Sequence, residues 1–436
     1  MNDRADSTPT SAEASSAIPK NKWSLIGPGI VVAATGVGAG DLVATLIAGS
    51  KFGYALLWAA IVGTILKIAL AEATGRYTLA GEKTIFEGWS SLGKGFFGSR
   101  INWAGLYFGI YVVIWGFVYG AAAMTSTALP MAALFPVFGL KTWGVIAGIA
   151  GLAFVWFGGY GLFEKVMTFA VGVMFVTVIG LAVIVAPDIP NLLTARPMLP
   201  QGSVFYTLGL IGGVGGTITM AAYGYWLNAK GWHGPSWIKV MRLDNQVGYI
   251  VTGVFVIAML IVGAELLYSA GIALQGGDRG LLDLAGVLRE RFNPFIATMF
   301  LVGVWATSFS SLLGVWNGVS LMFSDFVTHV RGKPKKEMAE TQKSWSFRAF
   351  ALWLTFPPIA LLFIDRPFGL IVAYGVLGSL FMPFLAGTLL WLLNSDRVPK
   401  EWRNGWLSNL MLTAATILFA SLAINEIWAQ IAKLLQ

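Results

Sequence analysis

Asp41 is the residue around which any chemistry in this chain would be organised. It ends the run Gly36-Val37-Gly38-Ala39-Gly40-Asp41, which lies inside an apolar stretch from Gly27 to Leu42. Each of the alternating glycines weakens helical continuity by about 1 kcal/mol relative to alanine. Backbone freed from its helical bonds at membrane depth survives only where protein or a water-filled cavity surrounds it. An acid facing lipid is expensive, so Asp41 should face the interior of a helical bundle. A broken helix with a carboxylate at the break is a candidate cation site. Aspartate also suits the cap of a second half-helix, and the two roles are compatible.

The break recurs. In Leu210-Ile211-Gly212-Gly213-Val214-Gly215-Gly216-Thr217, four of five consecutive positions are glycine. Interrupted spans at corresponding places in two halves of a chain point to an inverted-repeat transporter, in which half-helix termini meet at the midplane and leave carbonyls and amides for a substrate. Close helix packing is the competing explanation of such glycines. Tyr223, Tyr225 and Asn228 follow the second break and could line a path.

Other polar residues fall within apolar runs. Lys67 and Glu72 are five apart, so they do not share a helix face; Glu72 has Arg76 at i+4, and Lys67 requires an acid or a water pathway. Glu265 could gate the outer side or lie at the interface. Thr307, Ser308, Ser310, Ser311, Trp316, Asn317 and Ser320 form a polar stripe. Serines also bond their own helix, so only part of this stripe requires a transport role.

These residues are positioned by a membrane bundle. The 436 residues are 56% hydrophobic and 11% charged, with mean hydropathy +0.72, whereas soluble domains carry about 25% charged residues. Apolar runs of membrane-spanning length lie near 26–50, 54–75, 101–129, 142–159, 165–186, 204–228, 246–271, 294–325, 346–364, 369–394 and 405–429. We expect an all-α polytopic membrane protein of eleven spans. Residues 1–19 read as a disordered tail without a cleavable signal peptide, and 20–436 as one transmembrane domain with repeats near 26–186 and 204–394. With the N-terminus inside, 20 Lys/Arg fall on inner segments and 8 on outer ones. This bias predicts a cytoplasmic N-terminus and an external C-terminus. It also explains the net charge of +8 without nucleic acid. The absence of cysteine excludes disulfides and thiolate chemistry, and His233 and His329 alone cannot build a histidine-rich metal cluster. There is no Ser/His/Asp set, phosphate-binding loop or zinc helix, so no enzyme is expected.

Gly27-Pro28-Gly29, the segment Gly38-Ala39-Gly40-Asp41, and Ala48-Gly49-Ser50-Lys51-Phe52-Gly53-Tyr54-Ala55-Leu56-Leu57-Trp58 together resemble the first span of the Nramp divalent-metal transporters. Ser310-Ser311 and Ser379-Leu380-Phe381-Met382-Pro383-Phe384 are similar to later segments of the same family. The resemblance implies a LeuT-type fold of 5+5 helices plus one C-terminal helix, with helices 1 and 6 broken, working by alternating access. It also exposes departures. The family motif Asp-Pro-Gly-Asn falls on Gly38 to Asp41, so the metal-binding Asp is Gly38 and the Asn position is Asp41. The sixth-helix Met-Pro-His falls on Met220-Ala221-Ala222, keeping the thioether and losing the imidazole, and the tenth-helix Gln is Phe381.

The expectation is a divergent member carrying a divalent cation of the Mn2+, Mg2+ or Fe2+ class, with Asp41, Gly38, Thr217 and Met220 at the site. Tyr223, Asn228, Lys67, Glu72, Glu265, Ser311 and Asn317 are candidates for the pathway or for coupling to H+ or Na+. No permanently bound cofactor is expected, and a monomer in a bacterial-type inner membrane is. Two alternatives remain: a small organic solute or anion as cargo with Asp41 binding a coupling ion, and a non-transporting relative that has lost metal binding.

Overall fold

A computed structural model of the chain describes residues 27–194, 196–201, 203, 206–207, 210–211, 216–269, 279–334, 337–363 and 367–434; the expected tail lies outside them. The first span is two helices, α1 (Pro28–Gly36) and α2 (Ala39–Phe52), separated by extended backbone at Val37. Pro28 occupies the first turn of α1, where its missing N–H costs no helical bond. There follow α3 (Leu57–Gly81), the short α4 (Ile85–Ser90), α5 (Trp103–Leu134), α6 (Leu140–Phe157), α7 (Tyr160–Ile184) and α8 (Ile189–Thr194). The sixth span is helical at Leu210 and Ile211 and resumes as α9 (Thr219–Ala229). Then come α10 (Ile238–Gly263, continued by a π-helical turn over Ala264–Tyr268), α11 (Arg279–Arg291), α12 (Pro294–Val330), α13 (Met338–Gln342), α14 (Trp345–Leu362), α15 (Pro367–Leu393) and α16 (Trp406–Leu434).

Among the described residues, eight helical stretches are long and apolar enough to cross a membrane. They correspond to every expected span except the two broken ones and the tenth, whose described apolar stretch is the shorter Leu380–Leu393. Helix starts are set locally: Asn102, Asn293 and Ser344 each accept the N–H of the residue three further on. The interval between the seventh and eighth spans carries α11. Leu284, Ala285 and Leu288 fall on one helical face and are buried against α12.

The broken first span runs between α10 and α12, with α9 also against α1. Two glycine contacts set its distance from α10. A methyl at Gly248 would fall 2.2 Å from the carbonyl oxygen of Gly29, and one at Gly263 would fall 2.5 Å from that of Leu46. Backbones therefore touch on both sides of the break, the close approach that small residues permit in membrane bundles.

Segments expected on the inner side meet at one end of the bundle. Arg76, nearly fully buried, donates to Glu72 (3.0 Å), the Trp402 carbonyl (2.6 Å), Asn404 (2.9 Å) and Ser408 (2.9 Å), and Arg242 donates to the same Glu72 (2.9 Å). Arg397 joins this end through Ser91. The opposite end holds Lys51 on Tyr206 and the Trp58 indole on the Met198 carbonyl. Arg76→Met leaves Glu72 and three acceptors short of a donor, and removing one member of a buried ionic network costs about 3 kcal/mol. Thermal unfolding in detergent should show a melting temperature several degrees lower; no change would mean the network is solvated in place.

Candidate functional site

The two interruptions meet. Gly216 has φ +85°, a conformation glycine adopts without strain, and a methyl there would fall 2.8 Å from Gly36 Cα. On the α1 side the helix closes with the Val37 N–H on the Ala33 carbonyl (3.2 Å). The Thr35 carbonyl accepts from the Ser311 hydroxyl (2.8 Å), itself 3.0 Å from the Tyr119 hydroxyl. Gly314, one turn along α12, leaves room for Thr35, because a methyl there would overlap its Oγ1 at 1.8 Å. On the α9 side, the Thr217 carbonyl accepts from the Met220 N–H (3.1 Å) and the Ile218 carbonyl from the Ala221 N–H (3.0 Å), a tight first turn. Met220 is fully buried.

Lys67 reaches this junction. Its side chain, fully buried, extends from α3 and donates from Nζ to the Gly216 carbonyl; Nζ also lies 5.4 Å from the centroid of the Phe419 ring in α16. The sequence reading required an acid or water for this ammonium; among the described residues, the Gly216 carbonyl at the second break is one of its partners. Asp41 stands in the first turn of α2, where free N–H groups favour an anion; its side chain lies outside the described residues. Gly38 forms the irregular backbone just before that turn.

The structure thus brings together Gly38, Thr217, Met220, Lys67 and Ser311 around the breaks, with Asp41 three residues past Gly38. The other sequence candidates lie elsewhere. Glu72 belongs to the Arg76 and Arg242 network. Glu265 accepts from the Tyr54 hydroxyl and from the Asp188 N–H (2.9 Å), joining the π-helical turn to two outer segments. Asn317 accepts from the Trp226 indole (2.9 Å). Asn228 lines a cavity of about 1070 Å³ at the inner end, together with Lys230, His233, Glu337 and Lys343. Tyr223 is buried and donates toward Asp244 (3.1 Å) and the Met241 carbonyl (3.3 Å).

Asp244 escaped the sequence reading. It accepts from the N–H groups of Gly27 (2.8 Å) and Gly29 (2.5 Å), capping the first half-helix from across the bundle. Beside it, Lys230 pairs with Glu164, whose carboxylate lies against Gly27. The available signal was periodicity: Val240, Met241, Asp244, Asn245, Gly248, Tyr249 and Thr252 form one buried stripe of α10.

Two departures from the Nramp pattern are now physical. Ala222 packs on Gly318 beside the Trp226 ring, so indole fills the space around the family's histidine position. Phe381 is fully buried and stacks on Tyr111 at 5.1 Å. Among the described residues, no group of three or more His, Cys, Asp or Glu is placed to hold a metal ion.

A helical membrane bundle whose two interrupted spans meet at its centre defines a transporter architecture. The family described as natural resistance-associated macrophage protein-like, Nramp, matches residues 29–429. The chain belongs to this family of membrane transporters, which are not enzymes. It is 26% identical over 331 residues to the divalent metal cation transporter MntH of Mycobacterium leprae, covering 71% of this chain and 73% of that one. The fold is shared with a histidine-to-alanine mutant of the Eremococcus coleocola manganese transporter (TM-score 0.74, 16% identity, 96% and 90% of the chains). It is shared at greater distance with MhsT in complex with L-phenylalanine (TM-score 0.55, 13% identity, 92% and 97%). The bundle is LeuT-type, with broken spans one and six, five helices in each half and α16 in addition.

Asp244→Ala removes a carboxylate that holds two backbone N–H groups, and bonds to charged groups contribute about 1.5–3 kcal/mol each. We expect faster hydrogen exchange at residues 27–31 with α12 protection unchanged. Equal protection in α1 would show that the helix start is held by other contacts.

Proposed function

We propose that this protein is a secondary active transporter that carries a divalent metal cation across a membrane by alternating access. The observation behind the reading is the junction of Gly36 and Gly216, with Asp41 in the turn that follows. Family membership and the metal transporters among its relatives support the class of cargo. The Asp41 carboxylate, the carbonyls around Gly38 and Thr217, and the Met220 thioether would form a partly hydrated shell. Oxygen ligands suit Mg2+ and Mn2+, and a thioether adds preference for softer ions such as Fe2+. Opening at the inner end requires α1 to leave Asp244 and the Lys230–Glu164 pair; opening at the outer end requires the Tyr54–Glu265 contact to part. The Lys/Arg bias puts the N-terminus in the cytoplasm and the C-terminus outside a bacterial-type inner membrane. H+ or Na+ coupling would use groups other than Ala222, which cannot titrate.

A second reading is favoured by Lys67. A unit positive charge about 5 Å from a divalent ion is repelled by about 7 kcal/mol at an effective dielectric near 20. That is close to the whole of a micromolar affinity, about 8 kcal/mol. The same architecture with the ammonium in place would suit a small organic solute or an anion, with Asp41 holding a coupling ion. Thermal-shift panels separate the two: stabilisation by an organic solute and by no divalent metal favours the second. For the first reading, Asp41→Ala should lower Mn2+ and Mg2+ uptake into proteoliposomes at least tenfold, while the protein stays folded. Unchanged uptake of both ions removes Asp41 from the site.

A further inference from the structure

Lys67 lies on the inward stripe of α3, with Ala60, Thr64, Ala71 and Thr74 at helical spacing and buried alongside it. A lysine near the end of a span normally carries its ammonium to the interface. This one is fully buried and ends on the carbonyl of Gly216, the residue that touches Gly36 of the other break. A carbonyl released by a broken helix is the kind of group that holds a cation in transporters of this architecture, and here it holds the protein's own. A second observation falls at the same place. The Thr219 hydroxyl, 97% buried by its 3% exposure, sits beside Gly216 and makes no hydrogen bond among the described residues. An oxygen ligand is thus available next to the carbonyl that the ammonium occupies.

We propose that Lys67 is a specificity-determining residue of the central site: its ammonium is a tethered cation that must leave the Gly216 carbonyl before a transported cation can bind there. The proposal rests on the metal-transport reading and adds to it an exchange step, one bound cation for another. In the exchange Lys67 gives up the Gly216 carbonyl, and the entering ion takes that oxygen with those of Thr217 and Thr219. The tether sets a threshold. Cations held weakly by the shell cannot displace it, and the net positive charge at the junction rises by less than it would if the ammonium stayed.

Three variants of the full chain separate charge from hydrogen bonding. Lys67→Met removes both, Lys67→Gln keeps a donor for the Gly216 carbonyl without charge, and Lys67→Arg keeps charge. Mn2+ binding is measured by calorimetry in detergent and Mn2+ flux in proteoliposomes. With the competing charge gone, Lys67→Met and Lys67→Gln should bind Mn2+ at least about tenfold more tightly. Their apparent KM and maximal flux should both fall, because a tightly held ion leaves slowly, whereas simple structural damage lowers flux without tightening KM. Lys67→Arg should stay near wild type. Should Lys67→Met fail to fold, Lys67→Gln decides. Wild-type Mn2+ transport with unchanged or weaker affinity in Lys67→Gln overturns the exchange and leaves metal transport standing. No Mn2+ binding by the wild type or by any Lys67 variant overturns both.

Discussion

A carbonyl or amide released from a helix inside a membrane has no water to turn to, so it must find its partner in the protein. Among the described residues, several such groups have named partners. The Thr35 carbonyl at the end of α1 takes the Ser311 hydroxyl, the Gly216 carbonyl takes the Lys67 ammonium, and the first N–H groups of α1 take the Asp244 carboxylate. These three side chains come from α12, α3 and α10, the long helices that surround the broken spans. The interruption therefore dictates polar residues on helices that would otherwise be apolar, and it dictates where along them these residues fall.

The same constraint explains the glycines outside the breaks. The nine residues of α1 are small and almost wholly buried, so its backbone comes close to its neighbours. It touches α10 at Gly29 against Gly248, and the second half touches it at Gly49 against Gly263. Both contacts are on α10, one on each side of the break, so α10 fixes the span while the break itself stays irregular. Contacts of this kind are short and few, and they can be exchanged as units. That suits the alternating access proposed above.

Much of this was legible in the chain. The glycine runs pointed to both breaks because four glycines in five positions followed by polar residues weaken a helix where no water can take its backbone groups. The Glu72 and Arg76 pair was legible from i,i+4 spacing, although the further ties to Arg242, Trp402, Asn404 and Ser408 cross more than 160 residues and leave no local trace. Asp244 was hidden for a different reason. It lies in the first turns of α10, which begins at Ile238, among Lys239, Arg242 and other polar residues that lower the average hydropathy of a window. The buried stripe is there, but a window average erases it. Lys67 shows a third limit: helical spacing gives the face a side chain leaves from, not the group a flexible four-carbon stem will reach.

The departures from the family pattern at the two breaks change the charge there in opposite directions. Glycine at position 38 withdraws a carboxylate from the first break, and alanine at position 222 withdraws an imidazole, its surroundings filled by Trp226 and Gly318. An ammonium from α3 stands at the second break. Asp41, the third residue of α2, supplies a carboxylate where the family motif has Asn. Meanwhile the features that build the junction are intact: Gly-Pro-Gly at the start of α1, glycine at the crossing with α10, and Ser311 on the Thr35 carbonyl. Backbone geometry and charge have thus been treated separately. The fold requires only that the freed carbonyls and amides be satisfied, and a lysine satisfies a carbonyl as well as a metal ion does. In the exchange proposed above, what changes with the lysine is the free energy an incoming cation must supply to take its place, and that quantity, rather than the shape of the bundle, would decide which ions are carried.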